Sequence, residues 1–144
     1  MSMFKKNIIS KETAKTQLAI FFDCYDFDID NISDETTKKN VQAQIDKIEK
    51  GIMLGRLMIN SDGSITQKLK TPLGGDGSIK ELTYKTLSGE AKKGMDGHGE
   101  TIIHKRVYSL MGVLCGMGEP VVSEIKTADL MYMEGIALFF LTAV

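Results

Sequence analysis

Residues 56–84 read RLMINSDGSITQKLKTPLGGDGSIKELTY, and the spacing of their apolar side chains decides the fold. Apolar and polar residues alternate here, as they do on a strand with one buried face. Residues 56–60 and 64–70 form two strands around Ser61-Asp62-Gly63. A three-residue loop with Gly63 in the left-handed conformation pairs Ile59 with Ile65, whereas a two-residue Asp62-Gly63 turn sets Ile59 opposite Thr66. The first register gathers Leu57, Ile59, Ile65 and Leu69 on one face and is preferred for that reason. Pro72 lacks an N–H and is expected to end the second strand. Gly74-Gly75-Asp76-Gly77 makes the next turn, and a third strand covers residues 79–84 with Leu82 and Tyr84 on one face.

On both sides of this stretch the apolar period lengthens to that of a helix. Between residues 10 and 25, Ala14, Leu18, Phe21, Phe22 and Tyr25 form a helical stripe, with Ser10 as N-cap and Glu12 at the positive end of the dipole. A second helix starts near Ser33 or Asp34 and runs to about Leu54. It buries Val41, Ile45, Ile48 and Ile52 and turns Lys38, Lys39, Gln42, Asp46 and Lys50 to solvent. Gly51 and Gly55 are its candidate stops. The acidic connection between the two helices, residues 23–35, is expected to make few contacts of its own.

Beyond the strands, a short helix starts at Ser88 and fades by Gly94, and residues 93–99 are the most flexible stretch by composition. Ile103, Val107, Leu110 and Leu114 mark a helix over residues 100–115, stopped by Gly116, Gly118 and Pro120. Thr127 is expected to cap the last helix, with Asp129 in its first turn and Leu130, Met133, Ala137, Leu138 and Leu141 as its inner stripe. The predicted architecture is α+β: a helix pair, a small three-stranded antiparallel sheet and a C-terminal helix pair around one core. It is read as a single domain over 1–144, with a flexible N-terminus (1–9), a helical half (10–54) and a sheet-plus-helices half (56–144).

Composition narrows the function. The 144 residues carry 18 basic and 19 acidic side chains, for a net charge of −1, so there is no global electrostatic case for nucleic acid or an acidic membrane as partner. Residues 130–144 hold a single charge, Glu134, yet are fewer than the roughly 20 that span a bilayer. Residues 1–10 lack the pattern of a secretory leader. Cys24 and Cys115 lie far apart in apolar surroundings, as reduced thiols of a cytoplasmic protein do. A cytoplasmic protein is therefore expected.

Four groups of residues invite a chemical reading. Asp26, Asp28, Asp30 and Asp34 occupy the first, third, fifth and ninth places of an EF-hand loop between two helices, but Thr37 stands where the bidentate glutamate belongs. No metal site is expected, and a small EF-hand-like calcium module is kept as an alternative. His98, His104, Cys24 and Cys115 lack the paired short spacings of a zinc site. The glycine clusters 74–77 and 94–99 have neither the P-loop nor the dinucleotide pattern, so no cofactor is expected. No serine, histidine and acid fall in a recognisable hydrolase setting, and no catalytic residue is assigned. Of nine methionines, Met131 joins Phe139 and Phe140 outside the inner stripe of the last helix. That helix is apolar nearly all round, so these three residues are the predicted protein-binding surface, for a second copy or a client helix.

Several short segments of the C-terminal half also carry a family pattern. They are Leu69-Lys70-Thr71-Pro72, the turn Gly74–Gly77, Lys80-Glu81-Leu82-Thr83-Tyr84, Leu114-Cys115-Gly116-Met117-Gly118, Ile125-Lys126-Thr127-Ala128-Asp129 and Leu138-Phe139-Phe140-Leu141. In that order, over residues 68–141, the chain resembles the phage tail assembly chaperones of long-tailed phages, the Mu-like and related groups. The acidic N-terminal half departs from the pattern. The resemblance implies a non-enzymatic protein of the host cytoplasm that coats the apolar tape measure protein before the tail tube polymerises, then leaves. It also implies that a longer, frameshifted form is often made. A structural component of a phage tail or contractile secretion machine is the remaining alternative.

Overall fold

The β1–β2 hairpin adopts the preferred register. In the computed structural model, which describes residues 8–88 and 103–144 (without the side chains of Ile103 and His104), β1 (Leu57–Ile59) runs antiparallel to β2 (Ile65–Leu73) with Ile59 opposite Ile65. Gly63 has φ +87° and donates its N–H to the Asn60 carbonyl at 2.9 Å, the left-handed residue that this loop requires. β3 (Ile79–Tyr84) lies antiparallel on the other side of β2, which makes the strand order β1-β2-β3. Leu57, Ile59, Ile65, Gln67, Leu69, Leu82 and Tyr84 are buried, while Met58, Lys68, Glu81 and Thr83 are exposed.

β2 does not stop before Pro72 as expected; it continues to Leu73. The reason is a register shift between Lys68 and Leu73. Where the ladder is irregular, a residue without an N–H leaves no pairing unmade.

Helices cover the buried face. α1 (Lys11–Cys24) starts at Ser10, whose Oγ accepts from Thr13 N at 3.2 Å, and α2 (Glu35–Met53) starts at Asp34, whose Oδ2 accepts from Thr37 N at 2.9 Å. α2 buries Val41, Ile45, Ile48 and Ile52, so its apolar stripe lies where the spacing placed it. Gly55, at φ +73°, follows the end of α2. Gly51 does not stop the helix: it is buried inside it, and a Cβ there would meet Leu57 Cδ1 at 2.7 Å and Tyr132 Cδ1 at 3.0 Å. Ile8 and Ile9, expected in a flexible N-terminus, both donate their N–H groups to Met53 O, at 2.8 and 3.0 Å.

After the sheet come α3 (Ile103–Cys115), the short α4 (Glu119–Val122) and α5 (Thr127–Ala143). The helix expected from Ser88 falls largely on residues outside those described. Gly118 and Pro120 do more than stop α3. Pro120 sits in the first turn of α4, where its missing N–H has no intrahelical partner to lose. The N-cap of α5 is Lys126, with no side-chain cap, and Thr127 is its first helical residue.

The inner face of α5 differs from the expected stripe. Tyr132, Met133, Ile136, Ala137, Phe139 and Phe140 are buried, while Leu130, Leu138 and Leu141 are half-buried. The rings of Phe139 and Phe140 lie 5.2 and 5.8 Å from that of Phe21, and Tyr25 meets Phe140 edge-on at 5.5 Å. The acidic connection takes part as well. It holds a 3-10 turn, Ile29–Asn31, and Phe27 packs edge-on against Phe139 at 5.0 Å. A helix apolar on every side is thus buried on several sides. The sheet, α2, α5 and the aromatic side chains of the N-terminal segment share one hydrophobic core.

Candidate functional site

The three residues expected to bind a partner do not share a surface. Met131 is 39% exposed, but Phe139 and Phe140 are 0% and 2% exposed and belong to the core. The sequence shows that α5 has more apolar surface than one face can cover. It does not show that Phe21, Phe22, Tyr25 and Phe27 come around to cover it.

The acidic loop uses its carboxylates locally. Asp28 accepts from Asp30 N at 2.9 Å, Asp30 lies 3.5 Å from Lys38 Nζ, and Asp34 caps α2 through both the amide and the hydroxyl of Thr37. Those two hydrogen bonds hold the Asp34 carboxyl below its ordinary value. Among the described residues no three His, Cys, Asp or Glu side chains converge on a point that could hold a metal ion. His98 and the 94–99 glycine cluster lie outside the described residues. Gly74 and Gly77, at φ +88° and +68°, form the β2–β3 turn, closed by Gly77 N donating to Gly74 O at 3.1 Å. Cys24 is exposed; Cys115 is half-buried, and burial pushes its thiol up.

A buried polar network that the sequence did not disclose joins α5 to β2. Asp129 lies in the first turn of α5, as expected, and is 1% exposed. Its carboxylate accepts from Lys70 N at 2.8 Å and Thr71 N at 3.0 Å, two amides in the irregular stretch of β2. Its carbonyl accepts from Gln67 Nε2, and Gln67 Oε1 accepts from Tyr84 OH, both at 2.8 Å. Burial drives the Tyr84 phenol well above its ordinary value, so it stays a neutral donor. Every member has a partner, as a buried network needs.

Of the open clefts among the described residues, two adjoin Arg56. The larger, about 320 Å³, lies against the β1 edge and is walled by Ile8, Ile9, Leu57 and Met58. Ile8 and Met58 are 77% and 48% exposed. Gln17 closes the strand edge beside it by accepting from Ile59 N at 2.9 Å, which removes one unpaired group from an edge that could otherwise recruit another strand. The smaller, about 160 Å³, lies between the end of α2, Arg56, Lys70 and the start of α5. Met131 is on its rim. No helix among the described residues is long and apolar enough to cross a membrane.

No protein-family model, curated protein or solved structure matches this chain.

Proposed function

We propose that this chain is a non-enzymatic, tail assembly chaperone-like protein of a phage or prophage, which acts in the host cytoplasm. Its client is an apolar helical partner of the tape measure protein class. The observation that carries this reading is the open cleft at the β1 edge, where Ile8, Ile9, Leu57 and Met58 face the polar Gln17, Arg56, Lys68 and Glu81, with Ile8 and Met58 exposed on its rim. Large apolar side chains left in water beside a preformed cleft suit the capture of anchor residues from an amphipathic helix. Methionine at the rim suits a client of loosely defined sequence, because its thioether chain adapts its shape. The family resemblance in the C-terminal half supports the same reading. Leu69 to Pro72 lies on β2, Lys80 to Tyr84 on β3, and Asp129 opens the last helix.

Binding then resides at the β1 edge and not on Phe139 and Phe140. The test is co-production with a tape measure protein from the same operon. The wild-type chain is expected to keep the client soluble. Ile8→Ser with Met58→Ser is expected to lose that effect while the chain stays folded by circular dichroism. An operon with no long coiled-coil gene, or a client that the wild-type chain leaves insoluble, would overturn the proposal.

A further inference from the structure

The smaller cleft gathers charge in a chain whose net charge is only −1. Lys50 from the last turn of α2, Arg56 just before β1 and Lys70 from β2 all line it. None of the three forms an ion pair among the described residues, where the only ion pairs are Lys11 with Glu49 and Lys38 with Asp30. One carboxylate lines the cleft, that of Asp129, and both its oxygens accept backbone N–H groups of β2. Three cations against one carboxylate leave the cleft with an excess of two positive charges.

Two further features face the same space. Tyr132 is 5% exposed and lines the cleft, and its hydroxyl makes no hydrogen bond among the described residues and is not itself sealed from solvent. A hydroxyl open to the cleft can donate to a ligand there. Burial raises its pKa, the Arg56 guanidinium that lines the same cleft lowers it, and the Asp129 carboxylate raises it. The cleft also reaches Ala128 in the first turn of α5, a helix that no side chain caps. The first amides of a helix have no intrahelical acceptor and favour an anion.

We propose that this cleft binds a phosphate group through Lys50, Arg56, Lys70 and the Tyr132 hydroxyl, with the first amides of α5 completing the cradle. A tetrahedral dianion answers all of these donors at once. It balances the excess charge and offers enough oxygens for guanidinium, ammonium, hydroxyl and amide donors together. The site shares Arg56 with the β1-edge cleft but does not depend on the chaperone reading.

The probe is inorganic phosphate, titrated into the full chain labelled with ¹⁵N, with potassium chloride at matched ionic strength as reference. Saturable shifts of the Thr127 and Ala128 amides are expected with phosphate and not with chloride. Glycerol 3-phosphate is the second ligand. An equal response means that the site reads the phosphoryl group alone, and a stronger one means that it also reads the ester. Arg56→Gln and Lys70→Gln are each expected to weaken binding about tenfold, the loss of one charge-assisted hydrogen bond. Tyr132→Phe keeps the ring against Gly51 and is expected to weaken it severalfold. Lys50→Gln changes only an exposed side chain, so it reports on the site even where another variant unfolds. No saturable shift at millimolar phosphate, the same shift with chloride, or undiminished affinity in Lys50→Gln and Lys70→Gln would each overturn the proposal.

Discussion

Asp129 does work that its position in the sequence conceals. An acidic residue in the first turn of a helix ordinarily answers the helix dipole from the surface. Here the side chain turns inward, is 1% exposed and accepts the amides of Lys70 and Thr71. Those amides lie beyond the stretch of β2 paired with β1 and within its register shift against β3, so one carboxylate satisfies donors that the sheet leaves without acceptors. Asp129→Ala would leave two amides without acceptors and is expected to destabilise the chain by about 2–4 kcal/mol. Asp129→Asn retains one acceptor oxygen and is expected to lose less. Urea denaturation of the two variants checks the order; equal losses would mean that the second amide finds water instead. Sequence spacing places this residue on the helix correctly, but its partner lies 58 positions away and no local pattern reports it.

At the level of elements, the legible parts were those with one strong period. The stripe of α2 and the register of the β1–β2 hairpin follow from Val41, Ile45, Ile48 and Ile52 and from the left-handed Gly63. What was not legible depends on close approach between elements. Gly51 reads as a stop yet is a contact point, where α2 meets Leu57 and Tyr132. Gly112 lies within the stretch read as one more helix, and a Cβ on it would meet the backbone N of Glu119 at 2.6 Å. Its carbonyl accepts from Gly118 N at 3.1 Å, which folds the start of α4 back against α3. Backbone cannot rotate away as a side chain can. Gly112→Ala therefore gains helix propensity of about 1 kcal/mol but is expected to lose more through overpacking, roughly 1–3 kcal/mol. A lowered thermal midpoint would bear this out, and a raised one would mean that α4 moves without cost.

For the whole molecule, the question is where the apolar excess of α5 goes. Its sequence has too many large apolar residues for one packing face, and two resolutions exist: another chain covers the excess, or this chain covers it. The aromatic cluster decides for the second at Phe139 and Phe140, because the rings of α1 and the acidic connection close over them. The N-terminal half thereby contributes part of the core around α5. Met131 stays outside, on the opposite fate from its neighbours in the same helix. Phe139→Ser removes a ring with no exposure and leaves a cavity lined by Phe21, Phe22 and Phe27. The expected loss is roughly 3–5 kcal/mol, a large share of the 5–15 kcal/mol that typically holds a domain folded. Met131→Ser is expected to change stability by no more than about 0.5 kcal/mol, as an exposed substitution does. Equilibrium unfolding measured with size-exclusion chromatography separates the cases. A folded Phe139→Ser variant of unchanged stability that loses self-association would place this ring at an interface and refute its burial. Unfolding at lower urea, with no earlier change in association, is the expected result.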